Sequence, residues 1–140
     1  MPQQLGWSWL ALTAALAIHV ADEAAHDFLS VYNPNAAAIR SHVPWLPIPT
    51  FTFKAWLILL CAAVVVLAVL SILAFRAVMG ARFFAYFYAV VMILNGLAHS
   101  VSSIYLHRLM PGVLSSPLLI VCGVVLLYTT GSAVRIGRVS

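Results

Sequence analysis

Apolar residues run through this chain in long unbroken stretches rather than in the short periodic faces of a soluble domain. Four stretches, 7–29, 55–75, 83–106 and 113–133, are long enough to cross a hydrocarbon core, which takes about 20 residues at a rise of about 1.5 Å each. The last begins just beyond a Pro111-Gly112 turn. The pattern predicts an all-α polytopic membrane protein, a single domain of four transmembrane helices in an up-down bundle. Residues 31–50 carry Pro34, Pro44, Pro47 and Pro49 beside Asn33, Asn35 and Trp45, and read as a loop with a short interfacial helix over 34–40. The connections over 76–82 and 107–112 are short, as between antiparallel neighbours. Trp7, Trp9, Trp45 and Trp56 are expected to mark the interface belts.

Composition agrees with the pattern. The chain is 64% hydrophobic and 7% charged, whereas an ordinary soluble domain carries about 25% charged residues. Seven Lys and Arg against three acids give a net charge of +4. These cations stand singly at the ends of apolar runs, which fits membrane topology and speaks against nucleic acid as a partner. Arg76, Arg82, Arg135 and Arg138 fall on one side and Arg40, Lys54 and Arg108 on the other, a balance that favours cytoplasmic termini. The segment MPQQLGW has no basic residue, and acids stand where a cleavage site would fall, so the first span reads as a retained helix rather than a signal peptide. Cys61 and Cys122 lie inside apolar runs and read as reduced, small hydrophobes.

The chemistry is concentrated in the first span. All three acids, Asp22, Glu23 and Asp27, lie within six residues of one another, with His19 and His26 beside them. Residues 19, 22, 23 and 26 follow the i, i+3, i+4, i+7 spacing of one helix face. An acid at the centre of a membrane helix costs about 2.5–3.5 kcal/mol, while each Leu or Val returns about 0.3–0.6 kcal/mol. Snorkelling, protonation, hydrogen bonding or a bound cation must compensate, and Asp27, nearest the helix end, is expected to snorkel. The third span supplies a second polar face in Tyr88, Asn95, His99 and Ser102. In an up-down bundle the first and third spans are parallel. His19 and Asn95 then lie about 20 Å from their helix starts, and Glu23 and His99 about 25 Å, so the two faces are level.

Imidazole and carboxylate on successive turns suit a divalent metal, zinc first, then iron or manganese. His19, Glu23 and His99 are the expected ligands, with His26 or Asp22 as a fourth ligand or a general base. Asp22 and Glu23 are the candidate catalytic carboxylates. Asn95, Tyr88 and Ser102 would orient the ligands or position substrate. A hydrogen-bonded network that only fixes helix register is the plainer alternative. His42 and His107 are expected to be solvated, and Ser115, Ser116, Gly123, Thr129 and Thr130 to serve close packing of the fourth span.

The run His19-Val20-Ala21-Asp22-Glu23 resembles the signature of the HXXEE-domain family of small bacterial membrane proteins. Asn95 to His99 and Pro111-Gly112 are similar to that family's downstream Asn-xxx-His and Pro-Gly turn, so the likeness covers roughly 7–128. The first Glu of the signature is Asp22 here, one methylene shorter, which weakens a direct ligand role at that position. The resemblance implies an integral protein of the bacterial inner membrane with a metal or catalytic site, and supplies no reaction. A metal-dependent hydrolase acting on a lipid-like substrate is the leading expectation. A metal-free isomerase, which resembles the EXPERA fold in using His, Glu and Asn, and a non-enzymatic metal or proton sensor or structural subunit are the alternatives.

Overall fold

The computed structural model describes residues 2–76, 78 and 80–136, which form five helices and no strand. These are α1 (Pro2–Ala25), α2 (Phe28–His42), α3 (Phe53–Phe75), α4 (Ala81–Tyr105) and α5 (Ser116–Ile136). Three of them, α1, α3 and α4, are long and apolar enough to cross a membrane, while the apolar run of α5, Ser116–Ser132, is shorter.

Three boundaries differ from the hydropathy pattern, each for a local reason. The stretch 7–29 is two helices, because Asp27 takes a left-handed backbone with φ 52° and Phe28 opens α2; Asp tolerates that region better than most side chains. The segment 31–50 does hold the helix expected over 34–40, but that helix is longer, running from Phe28 to His42 with Pro34 inside it. Ala36, Ala37 and Ala38 favour helix strongly enough to offset the one N–H that Pro34 lacks. Residues 113–115, expected inside the fourth span, belong to a turn around Gly112, whose φ is 84°.

The helices pack as a bundle in which α1 lies chiefly against α3 and α5, and α4 against α5. Antiparallel pairing of α1 with α3 is fixed by Trp9, whose Nε1–H donates to the Leu67 carbonyl at 2.8 Å, and by Gly6, where a side chain would collide with Phe75. On the α4/α5 seam Gly96 faces Ser116 and Ile120, and Gly123 faces Ala89 and Ile93, the small-residue packing usual between membrane helices. Ser116 and Thr130 are fully buried there, each hydroxyl donating to a carbonyl four residues back in the chain. Consequently α1 and α4 stand diagonally, barely touching through their backbones.

Burial separates the helices by environment. On α3, Ile58, Val65, Val66 and Val69 are each more than half exposed, an outer surface suited to hydrocarbon rather than water. The least apolar of the three long helices, α1, is the most enclosed. Trp9 and Trp56 are not belt residues: they are 2% and 6% exposed, Trp9 against Tyr88 and Trp56 between Phe28 and Phe53. Trp7 and Trp45 are exposed.

A side chain at Gly96 would stand 3.0 Å from the Ser116 carbonyl and 2.8 Å from Ile120. Gly96→Val should therefore lower stability by about 1–3 kcal/mol, read as thermal unfolding in mild detergent. Gly131→Ala, whose new methyl meets only Tyr86 Oη at 3.4 Å, should be neutral within about 0.5 kcal/mol.

Candidate metal centre

The last two turns of α1 set His19 and Glu23 on one face, 1% and 5% exposed. The matching turns of α4 present Asn95 and His99. Across the diagonal, Asn95 Nδ2 lies 3.1 Å from His19 Nε2 and His99 Nε2 lies 3.0 Å from Glu23 Oε1. Both pairs are separated by the same number of residues, and Tyr88 Oη donates to Thr13 Oγ1 at 3.2 Å at nearly the same separation further along. The two helices are therefore parallel and level, as the spacing of their polar faces predicts.

Glu23 Oε1 is also 3.6 Å from His19 Nε2, and the ligand atoms of His19, Glu23 and His99 all lie within 4.8 Å of one another. A tetrahedral ion with bonds of about 2.0 Å sets its ligand atoms about 3.3 Å apart. The observed spacings bracket that value, so this buried group can hold a metal ion after only small side-chain adjustments.

Behind the cluster stands a polar chain that orients His19. Its Nδ1 is 2.8 Å from Ser115 Oγ, and Ser115 gives both its hydroxyl and its backbone N–H to Asp22 Oδ2, at 2.7 and 2.9 Å. The single hydroxyl proton goes to the carboxylate, its shorter and charged acceptor, in preference to the Gly112 carbonyl at 3.1 Å. Ser115 Oγ is then an acceptor for His19 Nδ1–H, and the lone pair of His19 Nε2 faces Glu23 and Asn95. Asp22 thereby also satisfies a backbone donor just before α5, where helix N-termini leave N–H groups unpaired.

The Pro111-Gly112 turn closes the centre from below. A side chain at Gly112 would stand 2.9 Å from His19 Cε1 and 3.0 Å from His99 Cε1. Only a residue without Cβ fits between the two imidazoles, whose ring centroids are 4.8 Å apart. On the other side Phe28 of α2 lies 5.7 Å from the His99 ring. A cleft of about 700 Å³ opens beside it, with Asn95, His99 and Ser102 on its α4 wall and Phe28 and Tyr32 on its α2 wall.

Of the residues singled out by the sequence, His19, Glu23, His99 and Asn95 meet at this centre. His26 does not. It lies just past the end of α1 with its side chain 53% exposed, its Nδ1 2.9 Å from Asp22 Oδ1 and 2.8 Å from the Asp22 carbonyl. Asp22 stands one residue behind the ligands, its two oxygens taken by Ser115 and His26. Tyr88 sits two turns deeper, packed on Trp9 and bonded to Thr13, and Ser102 lines the cleft without joining the cluster. Asp27, His42 and His107 are exposed. Sequence reasoning missed Ser115, Gly112 and Phe28 as parts of the site. A readable signal existed for Ser115: a Ser pair just before Pro117 and an apolar run, two residues beyond the Pro111-Gly112 turn, marks a helix start, whose polar groups seek partners.

Ser115→Ala removes the acceptor for His19 Nδ1 and the hydroxyl donated to Asp22. Zinc affinity, measured by competition with a chromophoric chelator, should fall about 10- to 100-fold with helical content retained. Comparison of the chain with protein families, with characterised proteins and with solved structures finds no match, and the functional reading rests on this geometry.

Proposed function

We propose that this chain is a four-span protein of the bacterial inner membrane, with cytoplasmic termini, that uses one divalent cation to hydrolyse a lipid-like substrate. The observation that carries the reading is the convergence of His19 Nε2, His99 Nε2 and the Glu23 carboxylate beside a cleft large enough for a substrate. Two imidazoles and one carboxylate with an open fourth position suit zinc, while iron and manganese commonly take more oxygen ligands. A cation held there would supply Lewis acidity towards an acyl oxygen.

The chain's own residues do the rest. His19 is held in one tautomer by Ser115 and Asp22, which makes Asp22 a positioning residue rather than the general base. Asn95 Nδ2, freed from His19 Nε2 when that nitrogen takes a cation, would donate to a substrate oxygen from the cleft wall. Water gives its hydroxyl to the acyl carbon and a proton to the departing oxygen or nitrogen, with the Glu23 oxygen not engaged as a ligand accepting that proton in transit. Likeness to the HXXEE family is supported by the meeting, at one centre, of both motifs and the Pro-Gly turn on which the likeness rests.

A second reading has its own observation. No buried side-chain nitrogen or oxygen among the described residues lacks a hydrogen-bond partner, so the cluster is also complete as a metal-free network that locks the register of α1 and α4.

Elemental analysis of the full chain purified in mild detergent separates the two. Near-stoichiometric zinc, iron or manganese is expected in the wild type, with at least a tenfold loss in His19→Ala, His99→Ala and Glu23→Gln while the fold is retained. Absence of metal after reconstitution would establish the network or a metal-free acid/base role instead.

A further inference from the structure

The cleft beside His99 has a chemical polarity that the metal centre does not explain. It extends along the outer turns of α4 to Arg108, which lies just beyond the helix end, and no Asp or Glu lines it. Arg108 is exposed and forms no ion pair among the described residues. Of the three acids, Asp22 is engaged with Ser115 and His26 and Glu23 with the two histidines, while Asp27, exposed at the turn before Phe28, makes no ion pair with Arg108. The guanidinium therefore stands as an uncompensated cation at one end of the cleft, and its fork geometry matches a phosphate.

Towards the other end lie His99 and Asn95, six and ten residues before Tyr105, about 9 and 15 Å of helix inward. Between them Leu106, Met110, Val31 and Phe28 give the cleft apolar surface. An end of a membrane-spanning helix lies near the level of lipid head groups, and the turns just inside it lie at the level of the first acyl carbons.

We infer, resting on the hydrolytic reading above, that the cleft takes an anionic amphiphile. Its phosphate is held by Arg108 and its acyl linkage lies beside His99 and Asn95. A neutral or cationic amphiphile gains nothing from Arg108, and a small soluble phosphate leaves the apolar wall uncovered. The charge, the apolar lining and the depth of the centre agree on one class of ligand.

The test measures retention of defined lipids by the full chain in mild detergent, using native mass spectrometry with dioleoyl phosphatidic acid and dioleoylglycerol, which share their chains and differ in the phosphate. The wild type should hold phosphatidic acid at least tenfold more tightly than dioleoylglycerol. Arg108→Gln should reduce that preference to threefold or less, Arg108→Lys should keep part of it, and Arg76→Gln, at the opposite end of the bundle, should leave it intact. Equal preference in the wild type and Arg108→Gln would overturn the inference. Displacement of phosphatidic acid by millimolar inorganic phosphate would overturn the lipid as the source of the phosphate. Metal content is measured in the same samples. A metal-free wild type that still discriminates through Arg108 would sink the hydrolytic reading and leave the head-group site standing. A metal-loaded protein that does not discriminate would do the reverse.

Discussion

A carboxylate placed in an apolar helix must find partners before the helix can be stable, and in this fold Ser115 and His26 supply them for Asp22. Ser115 Oγ bonds Asp22 on one side and His19 on the other, while its backbone N–H takes the same Asp22 oxygen. That knot joins the end of α1 to the start of α5. It settles where α5 begins, which way the His19 ring faces and how the charge of Asp22 is accommodated. An unpartnered charge in low dielectric costs several kcal/mol, more than a helix as modestly apolar as α1 can offset. The same constraint explains why α1 occupies the interior and the more apolar α3 the periphery: the helix carrying the acids is the one enclosed by others.

Diagonal placement of α1 and α4 has a chemical consequence. Two helices packed directly against each other leave no room between their facing side chains for a ligand. Helices held one diagonal apart are bridged through side chains, among the described residues Tyr88 with Trp9 and Thr13, Asn95 with His19, and His99 with His19 and Glu23. The bridging positions become more hydrophilic towards the end of the bundle where α2 and the turn around Gly112 close over it. Polar chemistry thus sits at the end of the bundle that α2 and the Gly112 turn close over, and the contact of Tyr88 with Trp9 and Thr13 lies further from that end.

The kink at Asp27 completes the enclosure. Ending α1 at Ala25 releases Phe28 to cover His99 from the start of a separate helix. α2 is then tied to the proline-rich loop by a reciprocal pair of bonds between Asn33 and the backbone of Phe51, at 2.9 and 3.0 Å, and by Tyr32 Oη donating to the Pro49 carbonyl. These few polar ties, rather than broad helix packing, hold one wall of the cleft.

Much of this was written in local spacing. The three long apolar helices, the common face of His19 and Glu23, the face of Asn95 and His99, and the level meeting of the two all follow from 1.5 Å per residue and 3.6 residues per turn. Apolar runs of this length that cross lipid can only be helices, so element type and register follow from local geometry. What periodicity could not carry was anything that depends on a backbone leaving the helix. His26 reads as a ligand only if α1 continues through Asp27, and the left-handed turn there sends it to Asp22 instead. Residues 31–33 and 41–42 read as loop on either side of the short helix expected over 34–40, because Pro34, Pro44, Pro47 and Pro49 mark the segment as irregular, though Pro34 is tolerated inside α2. Ser115, Gly112 and Phe28 enter the site from turns and from a neighbouring helix. Their positions are set by how the chain reverses and by which groups must be satisfied when it does, and those are decided only when the whole bundle closes. Helical geometry is local, so residue order already sets the helices and the pairing of their polar faces; the tautomer, the floor and the cover of the centre depend on contacts between segments far apart in the chain, and only the closed bundle sets them.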